Sequence, residues 1–376
     1  MQSLLHALTA KQDPLIHDLL AWCALESPTN DAAATTRMAQ TVAAHLRARG
    51  AQVEVLPGQV NGSMVRAAWA GGGGKPLLLL AHHDTVHPIG SVQKNRPRVE
   101  NGRVYGPGAY DMKGGILLAA AAIEAVHSLG RALPRPVVLL STADEEMGSA
   151  DSRPLIEALA QQAEAVLVLE PASANGELKT ARKGVGTFTI KALGRASHAG
   201  AAHELGINAI VELAQQVQTL TALTDNARGI TVNVGLIQGG TAVNTVPALA
   251  EMQVDTRIQR PEDAAWLTEQ VYALRPHLPG ARLSISGGVE RPPMQRLPGT
   301  VRLFELAQRL GQAIGLDLSE RAVGGASDGN FTAALGIPTL DGLGVCGDGA
   351  HTDEEYVLIA SLAPRAAVLA GMLLNL

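Results

Sequence analysis

The sequence predicts an α/β protein with a mostly parallel sheet flanked by helices, and a smaller α+β segment inserted into it. Three observations carry this. Short, wholly apolar runs at 77–80, 137–140 and 165–169 have the length and composition of strands buried on both faces. They alternate with segments of helical character, the clearest being the alanine-rich 114–129, and such alternation builds a sheet with helices on both sides. Near Gly176 the character changes: 187–193, 230–236 and 248–257 read as strands, with helices at 206–223 and 261–277. After a proline-rich crossing (Pro292, Pro293, Pro298) the helix-strand-helix pattern returns over 300–376. Residues 1–177 and 289–376 are therefore expected to form one domain, and 178–288 an insertion in it.

Residues 13–50 read as helical, with Leu15, Leu19, Trp22, Met38, Val42 and Leu46 at helical spacing and a stop at Gly50. Val53-Glu54-Val55 is a short alternating strand. Gly71 to Gly74 join the stretch ending at Trp69 to the run at 77–80. Without a Lys-Ser/Thr ending or a following helix they read as a turn and not as a phosphate loop.

With 376 residues, 46% hydrophobic and 17% charged, the chain has ample apolar material for packed cores. Only 3% is aromatic, so those cores are aliphatic; that scarcity and a net charge of −5 argue against a nucleic-acid surface. No run of 18 apolar residues is present, and no membrane span is expected. The stretch from Met1 to Asp13 lacks the apolar core of a signal peptide, so a cytoplasmic location is expected. Cys23 and Cys346 cannot make a disulfide framework and read as small buried hydrophobes.

The residues that carry chemistry follow the apolar strands, where ligands of open α/β sheets bind. The run 77–80 leads into Ala81-His82-His83-Asp84-Thr85-Val86. Alternation puts His82 and Asp84 on one side, where Asp84 can fix the imidazole tautomer. Asp111, within the glycine-rich 106–115, stands where a helix begins, the place of either a capping carboxylate or a bridging metal ligand. Asp144-Glu145-Glu146 gathers three carboxylates behind a buried strand, an arrangement that calls for solvent or a cation. Glu170 ends another apolar strand, and His351 lies in a late loop. If Asp111 bridges, His82, Asp111, Glu146, Glu170 and His351 supply two cations with three protein ligands each and leave a position for water. Glu145, without a metal of its own, is placed to act as general base.

The motifs His82-His-Asp84-Thr-Val, Asp111-Met-Lys-Gly-Gly, Asp144-Glu-Glu-Met-Gly148 and Glu170-Pro together resemble those of the zinc-dependent glutamate carboxypeptidase family. Its relatives include acetylornithine deacetylase, succinyl-diaminopimelate desuccinylase and aminoacylase. The resemblance implies one zinc held by His82, Asp111 and Glu170 and another by Asp111, Glu146 and His351. It also implies Glu145 as general base, a supporting role for Asp84, and a cis peptide at Asp111–Met112. It assigns His198 to the developing oxyanion in a partner subunit's site, and Asn244 and Arg257 to the substrate's terminal carboxylate. The inserted domain would be the dimerisation lid of a homodimer. Lys183 is a further, weaker candidate, and His83 could compete for metal, but the H-x-D register favours His82. The implied reaction is hydrolysis of an amide bond beside a free carboxylate, in a small peptide or N-acyl amino acid. The alternatives are an N-acyl amino acid deacylase and a non-catalytic metal-binding homologue. Cobalt or manganese could replace zinc at such oxygen-rich sites.

Overall fold

The apolar runs build a six-stranded sheet, ordered Gln52–Leu56, Met64–Trp69, Val137–Thr142, Leu77–His82, Ala165–Val168 and Thr339–Leu340, in the computed structural model, which describes residues 1–376. Its heart is parallel: Leu79 lies opposite Leu139 on one side and Leu167 on the other. The first two strands are antiparallel additions. Both faces are covered, which is why the central strands carry no alternation. Leu77 and Leu79 pack into a core with the helices Gly114–Ser128 and Ile359–Asn375, and Leu78 and Leu80 into a second core with Ile156, Ala160 and Phe331. Burying each leucine contributes about 1.5–3 kcal/mol.

One expectation needs correction. The helical stretch 13–50 is two helices, Gln12–Ala24 and Ala32–Arg47. Asp31 starts the second by accepting from the Ala33 and Ala34 amides, and the break before it contains Pro28, which lacks an amide hydrogen. The glycine turn joins Met64–Trp69 to Leu77–His82, and Val137–Thr142 lies between those two strands in the sheet. A Cβ on Gly71 would sit 2.1 Å from the Arg135 carbonyl oxygen, so the turn passes hard against the entry to that middle strand.

The chain divides into two compact units, Met1–Ala181 with Arg296–Ala322 and Ser327–Leu376, and Arg182–Gln295 with Val323–Ala326. The second holds an antiparallel sheet ordered Thr231–Gly239, Leu249–Ile258, Gly184–Leu193 and Arg282–Arg291. One face packs Phe188, Ile190, Met252 and Val254 against Leu213 and Leu267 of its two longer helices. No helix of the chain is long and apolar enough to cross a membrane.

Candidate metal centre

His82 is the last residue of the central strand, and the pleat sends its ring and that of His83 to opposite sides. His83 Nδ1 meets Ser141 Oγ at 2.8 Å, and burial pushes its imidazole down to about 4. It is therefore turned away as a competing ligand. His82 Nδ1 lies 3.0 Å from the Asp84 carbonyl oxygen and 3.4 Å from Asp84 Oδ1, so the proton is on Nδ1 and Nε2 faces forward. Asp84 is wholly buried. It accepts from Thr29 Oγ1 at 2.7 Å and from the Glu145 and Glu146 amides at 3.3 and 3.2 Å, which ties His82 to the Glu145 turn.

Asp111 is not a helix cap. The helix Gly114–Ser128 begins beyond it without a side-chain cap, and its backbone (φ −119°, ψ 94°) leaves the helical path. The Asp111–Met112 peptide is cis, as the resemblance implied. A Cβ on Gly115 would lie 2.2 Å from the Leu169 carbonyl oxygen, so only glycine lets this helix start against the strand end that leads to Glu170.

The two oxygens of Asp111 face different partners. Oδ1 is 3.2 Å from His82 Nε2, which is itself 3.5 Å from Glu170 Oε1. Oδ2 is 3.4 Å from His351 Nε2, which is 3.3 Å from Glu146 Oε2. His351 reaches this position with φ 65°, a left-handed conformation that costs a non-glycine residue about 1–3 kcal/mol. The ligand atoms of His82, Glu145 and Glu170 lie within 4.8 Å of one another, as do those of His82, Asp111 and Glu146. Asp111 stands in the second of these groups and Glu145 takes a place in the first; the two oxygens of Asp111 still link the segments that bear His82 and His351.

The electrostatics of this cluster are those of a cation site. Burial opposes charging His82, but Asp111, Asp84 and Glu170 outweigh it and hold its pKa well above 6.5. Asp111 and Glu146 together push His351 up to about 10. Burial lifts the Glu146 carboxyl to about 8, helped by its neighbour Asp111. Burial also opposes the charge on Asp111, but His351 and His82 win and lower its pKa. Carboxylates that draw protons onto two imidazoles in this way would draw a metal ion likewise.

The donor set fits metal ions on two further observations. A tetrahedral ion with ligand bonds of about 2.0–2.2 Å sets neighbouring donors about 3.3–3.6 Å apart, close to the spacings above. Glu146 Oε1 is buried without a hydrogen-bond partner, an orphan that a cation would satisfy.

The residues expected to meet the substrate lie in the second unit. His198 sits in the short pair Ser197–His198 with Thr245–Val246, and the Ala199 amide donates to the Asn244 carbonyl oxygen at 2.9 Å. His198 Nδ1 accepts from the Gly200 and Ala201 amides, both at 3.1 Å, which leaves the ring proton on Nε2. Arg257 donates from Nε and Nη2 to Asp255, at 2.9 and 2.8 Å, so its guanidinium plane is fixed by a neighbour on the same face of the strand.

Sequence reasoning missed Glu355. It is fully buried and hydrogen-bonded to the backbone of the Asp111 loop. Its only sequence signal is adjacency to His351 in an acidic loop, which is equally the mark of a solvated turn. Asp328 accepts from Thr142 Oγ1 at 3.3 Å, at the end of the strand Val137–Thr142.

A carboxylate shared between two imidazole–carboxylate pairs, at the strand ends of a mixed α/β sheet, is the centre of a metal-dependent hydrolase. Residues 78–375 match the model of peptidase family M20/M25/M40, and the chain belongs to that family. It is 33% identical over 380 residues to carboxypeptidase G2 of Pseudomonas sp. (strain RS-16), covering 99% of this chain and 92% of that protein. It is 28% identical to acetylornithine deacetylase of Proteus mirabilis, covering 88% and 87% of the two chains. Its fold is similar to that of an M20 family metallo-carboxypeptidase of Sulfolobus solfataricus, with a TM-score of 0.76, 18% identity, and coverage of 96% and 98%.

Proposed function

We propose that this metallohydrolase cleaves an amide bond adjacent to a free carboxylate, in the manner of a glutamate carboxypeptidase, with two zinc ions and Glu145 as general base. The division of Asp111 between the His82–Glu170 and His351–Glu146 pairs carries this reading. It is supported by the likeness to carboxypeptidase G2 over nearly the whole chain.

His82, Asp111 and Glu170 would hold one ion, and Asp111, Glu146 and His351 the other. When bound, the ions supply Lewis acidity to a water and to the scissile carbonyl. Glu145 then takes the attacking water's proton and returns it to the departing nitrogen. Asp84 keeps the His82 tautomer and anchors the Glu145 turn. By resemblance, His198 donates its Nε2 proton to the oxyanion, a role its tautomer suits. Arg257 and Asn244 take the free carboxylate, which must share the guanidinium with Asp255. The chain would work as a homodimer. The outer strand Thr231–Gly239 supports this, with Leu236 and Ile237 64% and 52% exposed.

The test is a substrate panel on protein of measured metal content: N-acyl glutamates, N-acetylornithine, dipeptides, and each N-acyl glutamate with its free carboxylate amidated. The highest kcat/KM is expected for an N-acyl glutamate, with a loss of about 100-fold or more on amidation. A preference for N-acetylornithine would favour the deacylase alternative. Metal-loaded protein that hydrolyses none of them would overturn the proposal.

A further inference from the structure

Besides Asp84, a second carboxylate touches several parts of the ligand framework without being a ligand: Glu355. It lies between His351 and the strand Tyr356–Leu358, which pairs with Arg103–Tyr105 just ahead of the Asp111 loop. Its side chain is fully buried. Oε1 accepts from the Tyr110 amide at 2.8 Å and the Asp111 amide at 2.9 Å. Oε2 accepts from the Gly108 amide at 2.9 Å and meets His87 Nε2 at 2.6 Å. Its own carbonyl oxygen accepts from Asn95 Nδ2 at 3.1 Å.

These partners are selective. Gly108, Tyr110 and Asp111 form the loop that presents the shared carboxylate, and Gly108 has φ 72° with no room for a Cβ, which would meet Thr85 Cγ2 at 2.7 Å. His87 belongs to the segment that leaves the central strand at His82. Glu355 itself follows His351. One buried side chain thus joins the segments bearing His82, Asp111 and His351. It stands one residue ahead of Tyr356–Leu358, a strand paired on both sides, with Gly347–Asp348 and Arg103–Tyr105. Buried carboxylates on backbone amides occur elsewhere in the chain: Glu212 accepts from His277 and Leu278. That one holds no ligand loop and shows what a purely structural role looks like.

We propose that Glu355 is a positioning residue for the metal centre: by holding the Gly108, Tyr110 and Asp111 amides it aims the two oxygens of Asp111 and locks them to the His351 segment. This inference rests on the metal-centre reading above. Its oxygens each serve two donors, so no neutral replacement satisfies both. In Glu355→Gln one oxygen becomes an NH2 group that faces donors. The Asp111 loop must then shift, although nothing that touches metal has been changed.

The test uses the full chain freed of metal by chelation and titrated with Zn2+ by competition and with Co2+ by visible absorption. Wild type, Glu355→Gln, Glu355→Asp and the control Glu212→Gln are compared, each with a thermal midpoint. Wild type is expected to take up two equivalents. Glu355→Gln is expected to bind about 10–100-fold more weakly and to give an altered Co2+ spectrum, with Glu355→Asp between the two. Glu212→Gln should lower the midpoint and leave metal affinity within about twofold. If Glu355→Gln does not fold, Glu355→Asp is held to the same criterion, an affinity loss and a changed spectrum. Wild-type affinity and spectrum in the Glu355 variants, with only the midpoint lowered, would overturn the positioning role and leave the metal centre standing. A wild type that binds neither ion would overturn both.

Discussion

The two sheets of this protein put their polar residues to work in different ways. In the first unit the central strands are covered on both faces, so chemistry is confined to where they end. There the framework is held by partners far away in the chain: Asp84, which orients His82, by Thr29, and the Asp111 loop by Glu355. In the second unit the sheet is packed on one face, and its functional candidates are held by their neighbours. His198 takes the amides of Gly200 and Ala201, and Arg257 takes Asp255. A buried, long-range framework fixes geometry before a ligand arrives. Local bonds on an exposed surface fix a tautomer or a ring plane and leave the residue free to meet a substrate.

That contrast is sharpened most by Glu145→Gln, in the first unit. Loss of the base should lower kcat by about 10²–10⁴-fold, with metal uptake unchanged, as read by steady-state kinetics and metal analysis. A near-normal rate would move the base elsewhere. His198→Ala, in the second unit, should cost about 10²–10³-fold in kcat. Because its bonds are local, the thermal midpoint should stay within a few degrees. A large drop in the midpoint would mean that His198 belongs to the framework, and the contrast would fail.

The smallest effects concern packing. Leu79→Ala, in the doubly covered sheet, should cost about 2–5 kcal/mol in denaturant unfolding. Leu236→Ala, on the exposed outer strand, should stay within about 0.5 kcal/mol. Leu236→Asp should change the sedimentation of the protein at low concentration if that strand joins two copies.

Much of the fold was legible because burial leaves a direct mark on composition. The unbroken apolar runs at 77–80 and 137–140 became central parallel strands, and the mixed patterns beyond Gly176 became the antiparallel sheet. The break in the first helix was less legible, since periodicity on either side of Pro28 hides a short interruption. That break nevertheless carries Thr29, which supports Asp84. Strand order was not legible at all: no local signal says that Val137–Thr142 inserts beside Leu77–His82.

The sequence by itself determined which residue types would gather at the centre, because imidazoles and clustered carboxylates at the ends of buried strands have few other uses. Only the tertiary structure decided how they share the work. The division of Asp111 between two pairs and the hold of Glu355 on the Asp111 loop both depend on distances between segments far apart in the chain. Such distances follow from strand order and packing, which no run of neighbouring residues encodes.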